Sequence, residues 1–230
     1  MKKNSLIVII LCLAFNVFAQ DATTTEGLKK FTSGITLFSD IWKGSFTNMT
    51  PRAINQGIDV FGMYNIPMEN SKLTFSVGAG VGVHNLFTNA FLVANDSTGV
   101  YTFQKIADLN PSDPISYKKY KITVAYFDFP FEFRYKHSNG FKAAMGMKFG
   151  FVIGSHTKYK GDNYLLEDPS ILKLKTQNVK NLEKWRYGLT AKVGYKSAEL
   201  YCYYGLSKLF KKDNGPDLYP ISVGISLRPF

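Results

Sequence analysis

Seven charged residues recur at even-numbered positions of three alternating stretches: Asp128, Glu132 and Arg134, then Lys142 and Lys148, then Arg186 and Lys192. In an extended chain, side chains two apart share a face, so each stretch shows these charges on one side only. Asp59 and Glu199 join from two further stretches, giving four acids against five bases. Enclosed together, such groups must pair, because an unpaired buried charge costs several kcal/mol of desolvation. The pattern suits a structural salt-bridge network that fixes strand register; a proton or ion path is the alternative.

A catalytic arrangement is harder to build. The chain has three histidines, His84, His137 and His156. Ser155 and His156 with Asp162 or Glu167 have the residue types of a nucleophile, a base and an orienting acid, but neighbouring strand residues point to opposite faces. No cluster has metal-ligand spacing and no phosphate-binding loop is present, so neither a cofactor nor an enzymatic activity is expected.

The stretch from Tyr126 to Gly154 positions most of these charges. It reads as a long β-hairpin turning at His137-Ser138-Asn139-Gly140, with Phe141, Ala143, Met145, Met147, Phe149, Phe151 and Ile153 on one face. The opposite face carries lysine and glycine, as the inside of a narrow barrel would. Counting the two arms of this hairpin, eight strands are predicted, over about 31–42, 53–66, 73–84, 120–136, 141–154, 185–195, 199–207 and 219–230. The third places Gly78, Gly80, Gly82 and His84 inward. The fourth changes phase, since Tyr120, Ile122 and Val124 are even-numbered whereas Phe127 to Tyr135 are odd; a bulge near Ala125 and Tyr126 would reconcile them. Pro130 adds a missing ladder donor there. Residues 162–183 are expected to form a loop.

The first residues carry Lys2 and Lys3, an apolar run from Leu6 to Ala14, and Val17-Phe18-Ala19, the layout of an export signal with cleavage after Ala19. Residues 1–19 are thus read as a cleaved signal peptide, 20–30 as a flexible lead-in and 31–230 as the barrel. Losing Lys2 and Lys3 takes the formal charge from +11 to +9. Of the two cysteines, Cys12 leaves with the signal, so Cys202 has no partner for an intramolecular disulfide. An exported basic chain without a nucleic-acid motif meets lipid phosphates, not nucleic acid.

Eight strands alternating short turns with longer loops predict an all-β, eight-stranded antiparallel up-and-down transmembrane β-barrel of the bacterial outer membrane, with periplasmic termini. Strand number predicts a lumen filled by side chains. Lysines gather in or near the long loops, and Lys208, Lys211 and Lys212 are candidates for facing lipopolysaccharide. Phe230 is a terminal aromatic like that of many such barrels, although Pro229 shifts its phase.

YFDFPFEFRYK (126–136), GFKAAMGMKFGFVIGSHTKYKG (140–161), WRYGLTAKVGY (185–195) and the closing GPDLYPISVGISL together resemble the PorT-like outer membrane β-barrel family of Bacteroidetes. The resemblance covers roughly Phe31 to Phe230 and implies a small outer-membrane barrel. One member gives the family its link to type IX secretion. The readings in order are a structural or interaction barrel acting through its loops, then an accessory of a secretion or envelope-assembly machine with a protein partner, then a lipid A-modifying enzyme. The last lacks the His-x-Ser arrangement of lipid A deacylases.

Overall fold

A computed structural model describes residues 30–95, 97–109, 115–164 and 168–228. The expected signal peptide and most of the lead-in, with Pro229, Phe230 and the candidate acid Glu167, lie outside these residues. Eleven strands are present among those described: β1 (Phe31–Gly44), β2 (Gln56–Pro67), β3 (Leu73–Thr88), β4 (Ala90–Ala94), β5 (Tyr101–Lys105), β6 (Tyr117–Lys136), β7 (Phe141–Asn163), β8 (Asp168–Gln177), β9 (Trp185–Tyr195), β10 (Ala198–Gly205) and β11 (Leu218–Leu227).

Eight of them close a ring. The order is β1-β2-β3-β6-β7-β9-β10-β11, every pair is antiparallel, and β11 returns to β1 with Ile35 opposite Leu227 and Gly44 opposite Leu218. Closure pairs the backbone groups that an open sheet would leave at its edges. The connections 68–72, 137–140 and 196–197 are short and gather at one end, where Gly140 takes φ +96° in the Asn-Gly turn. The long connections gather at the other, called here the loop end. They carry the separate β4–β5 hairpin and β8, which pairs with β7 above the point where β9 stops. This corrects the reading of 162–183 as a loop: residues 168–177 extend the sheet, with alternation short enough to pass as irregular polar sequence.

The predicted phase change in the fourth strand is also corrected. In β6 the inward residues are even throughout, from Tyr120 through Tyr126 to Arg134, all buried. The register does slip beside Ala125 and Tyr126, but Ala125 faces Gly154 while Tyr126 faces Val152, so the extra residue is Ile153 of β7. Pro130 leaves no slip in the β3–β6 ladder. Pairing stops after Val77–Phe131 and resumes in the same register at Gly80–Asp128.

Outward-facing side chains form an apolar band from Leu73, Phe133 and Tyr195 at the turn end up to Phe127, Phe151 and Trp185. The three upper aromatics stack in sequence, with ring centres 5.6 and 5.8 Å apart. β9 spans the band in 11 residues, the length a tilted transmembrane strand needs. Above that row the outward residues become Thr123, His156 and a set of lysines, so the upper parts of β6 and β7 stand clear of the band.

Candidate functional site

Below the aromatic row the interior is filled by paired charges. Five acids (Asp40, Asp59, Asp128, Glu132, Glu199) and five bases (Arg134, Lys148, Arg186, Lys192, Arg228) are buried among the described residues. Arg186 from β9 forks onto Asp128 of β6, its Nε 2.8 Å from Oδ1, and stacks 4.0 Å from the Tyr126 ring. Lys148 of β7 pairs with Asp59 of β2 and reaches the Tyr201 hydroxyl at 3.2 Å. Glu132 takes Arg134 Nε at 2.9 Å on one oxygen and Lys192 Nζ at 2.6 Å on the other. Arg228 closes the turn end on Glu199. Of the residues proposed from sequence, Asp128, Glu132, Arg134, Lys148, Arg186 and Lys192 meet in these pairs. Lys142 is half-buried and enters none of them.

The glycines of β3 and β7 make the room. A Cβ on Gly150 would lie 2.1 Å from Asp128 Oδ1, and one on Gly82 would lie 2.6 Å from Asp59 Oδ1 and 3.0 Å from Arg186 Nη2. Little space is left. The cavity beside Lys148, Lys192 and Thr190 measures about 10 Å³, at the lower limit for one water, and Thr190 Oγ1 has no protein partner there.

Asp40 and His84 were not assigned to this network from sequence. Asp40 accepts from Ser222 Oγ at 2.6 Å and faces His84 Nδ1 at 2.9 Å, while Arg186 Nη1 meets His84 Nε2. A guanidinium only donates, so Nε2 accepts and the ring proton sits on Nδ1 toward Asp40. The five buried acids are matched in number by the five buried bases. The hydroxyl of Ser222 touches the acid and not the imidazole, so this is no nucleophile–base pair. Ser155 and His156 do face opposite ways: Ser155 pairs with the inward Val124 and accepts from Val179 N at 3.0 Å, and His156 pairs with the outward Thr123. Among the described residues no group of His, Cys, Asp and Glu could hold a metal.

Above the aromatic row the interior is apolar. Trp42, Leu86, Tyr120, Ile122, Tyr159 and Phe210 pack with Phe103 and Ile106 of the β4–β5 region and with Leu182 and Leu218. Asn55, fully buried, ties the loops down: its Nδ2 donates to Asp40 O at 2.9 Å and Arg52 O at 2.7 Å, and its Oδ1 accepts from Phe87 N at 2.8 Å.

The outside of this upper part is cationic. Lys121, Lys158 and Lys175 stand directly opposite one another across β6, β7 and β8, and Lys119, Lys160 and Lys173 form the next row. Neighbouring strands are about 4.8 Å apart, so six ammonium groups share one small face. Burial first, then Lys119, Lys158 and Lys175, hold the Lys121 pKa below its ordinary value. His156, on the adjoining row, is held low by burial and then by Lys175, Lys121 and Lys158. Sequence showed these lysines as loop clusters; their alignment needed the register. Lys211 and Lys212 are exposed elsewhere on the loop end, and Lys208 is paired with Asp217 at 2.6 Å.

Residues 45–211 match the family model described as outer membrane protein beta-barrel domain. The chain belongs to that family. It is an integral outer-membrane β-barrel, and its apolar band faces lipid. A search of curated proteins finds no match. Among solved structures the chain is similar to Ail, the attachment invasion locus protein of Yersinia pestis, in complex with the heparin analogue sucrose octasulfate, at 11% identity and TM-score 0.39, covering 86% of this chain and 97% of that one. A second structure of Ail matches at 10% identity and TM-score 0.36 over the same shares. Membership of the outer-membrane family rests on the matched model, and the fold on the closed ring of pairings.

Proposed function

We propose that this outer-membrane barrel is non-enzymatic and that it holds the phosphates of outer-leaflet lipopolysaccharide against the six-lysine face. The observation that carries the reading is the two rows of lysines aligned across β6, β7 and β8. Like charges directly opposite one another destabilise a sheet, so the arrangement costs stability unless anions occupy it. The face lies just above the lipid-facing band, at the height of the headgroups. The lumen serves as a plug, because its charges are paired and the space at Gly82 and Gly150 is filled by neighbouring carboxylates. The termini then lie on the periplasmic side, with the short turns.

The test replaces Lys158, Lys160, Lys173 and Lys175 by Gln and measures binding of purified lipopolysaccharide to the protein in nanodiscs. Affinity should fall about fivefold per lysine, as expected for roughly 1 kcal/mol per cation near an anionic surface, and wild-type binding should weaken with salt. Unchanged affinity refutes the reading. Planar-bilayer recording should show no steady conductance.

The PorT-like reading, with a place beside a secretion or envelope-assembly machine, is favoured by the YFDFPFEFRYK segment. Its Asp128, Glu132 and Arg134 are the members of the interior network that β6 supplies. Crosslinking in native membranes separates this reading from the first: a stoichiometric protein partner supports it, and lipid contacts alone count against it.

A further inference from the structure

The barrel wall has a seam. β7 pairs with β9 up to Phe151–Trp185 and with β8 from His156–Gln177 onward, so around the Ile153 bulge it changes partners. Residues 178–184 arch over this gap. A cleft of about 500 Å³ occupies it, within the 300–1,000 Å³ typical of ligand sites. On its outer side stand Phe151 and the exposed Trp185, members of the lipid-facing aromatic row. Its inner side is Val152, Val179 and Leu182, which belong to or pack against the apolar upper core. The cleft thus runs from the outer leaflet toward an apolar interior, and it passes above the charged plug.

Ser155, Asn181 and two exposed lysines, Lys184 and Lys211, complete the lining. The nearby Glu183 turns its carboxylate onto the Lys184 backbone N–H at 2.9 Å. The arch itself is fixed: Leu182 is buried and bridges Phe210, Lys211 N donates to Asn181 O at 2.9 Å, and Val152 N donates to Lys184 O at 2.9 Å. A site with an apolar throat, a cationic rim and a lipid-facing opening has the chemistry of an amphiphile with an anionic head.

We propose that the seam between β7, β8 and β9 binds one acyl chain of a phosphorylated outer-leaflet lipid, with Lys184 and Lys211 on its phosphate. This rests on the outer-membrane placement and deepens the proposed function, since the six-lysine face shares β7 with the cleft. It assigns the chain-binding element that the lysine face alone does not supply.

Trp185 provides the readout. In a Trp42→Phe background it is the single tryptophan, and it is placed in phosphatidylcholine nanodiscs doped with a minor fraction of either brominated-chain phosphatidic acid or brominated-chain phosphatidylcholine. The phosphatidic acid should quench Trp185 more strongly at equal fraction, and Lys184→Gln and Lys211→Gln should each lower its relative affinity about fivefold. Val179→Phe, which narrows the throat, should abolish the excess quenching and leave that by phosphatidylcholine unchanged. Equal quenching by the two lipids overturns the site while the membrane placement stands. Excess quenching that survives Val179→Phe but not the lysine changes means headgroup attraction without a bound chain, and also overturns it. Quenching by neither lipid overturns the membrane placement itself.

Discussion

Below the Phe127–Phe151–Trp185 row the barrel is polar inside and apolar outside; above it, apolar inside and cationic outside. One strand shows both. Along the same inward face β6 runs from Arg134, Glu132 and Asp128 into Tyr126, Val124, Ile122 and Tyr120. What reverses is the solvent around the strand. Where lipid surrounds the wall, apolar side chains turn to it and the enclosed remainder is polar; where water surrounds it, the hydrophobic effect drives the apolar set inward as in a soluble protein. The Ile153 bulge of β7 stands near this boundary, and so does the change of partner from β9 to β8.

The comparison can be broken at several levels, and the largest effect belongs to the lower half. Asp128→Ala leaves Arg186 buried without its carboxylate and should cost about 3–5 kcal/mol, read as a lower urea midpoint of the refolded protein in micelles. Asp128→Leu with Arg186→Met removes both charges and should come out near wild type. If the double replacement is as damaging as the single one, the pair does more than fill space. In the upper half Ile122→Ala should cost about 2–5 kcal/mol as an ordinary core cavity, with no rescue by a compensating charge change.

Two glycines of one strand sharpen the contrast further. Gly150→Ala puts a methyl 2.1 Å from Asp128 Oδ1 and should cost about 1–3 kcal/mol by overpacking. For Gly154→Ala, just past the bulge, a Cβ meets nothing within 4 Å, and the same measurement should show little change.

The smallest effect concerns pH. His156 is held below its ordinary value of 6.5, so the folded protein resists the proton that the unfolded chain accepts. Its share of stability is complete above that value and is lost as pH falls through it toward the lower folded value. His156→Gln should therefore flatten part of the acid-side slope of the urea midpoint.

Much of the lower half was legible because a period of two against lipid is a direct instruction. Phe127, Phe129, Phe131 and Phe133 outward, with Asp128 and Glu132 inward, follow from alternation alone. The same rule misleads above the aromatic row, where the apolar Ile122 and Val124 face inward and the phase change that their parity implies is absent from β6. Apolarity names the solvent a residue avoids, not the side of the wall it takes. Asp40 stayed hidden because the alternation of β1, with Thr32, Thr36 and Phe38 on its inward face, separates the two sides poorly. The lysine rows are a property of register across three strands, and no single stretch of sequence displays them.

β8 carries a further consequence. The closed ring has no edge, but among the described residues β8 is the last strand of its sheet and pairs on one side only. An unpaired edge is where a second molecule can add strand to strand, and charged side chains, lysine above all, are what proteins set there to prevent it. Lys173 and Lys175 occupy that edge. An anion that neutralised them would also lift the repulsion between two such edges, and with it the barrier to adding strand to strand there.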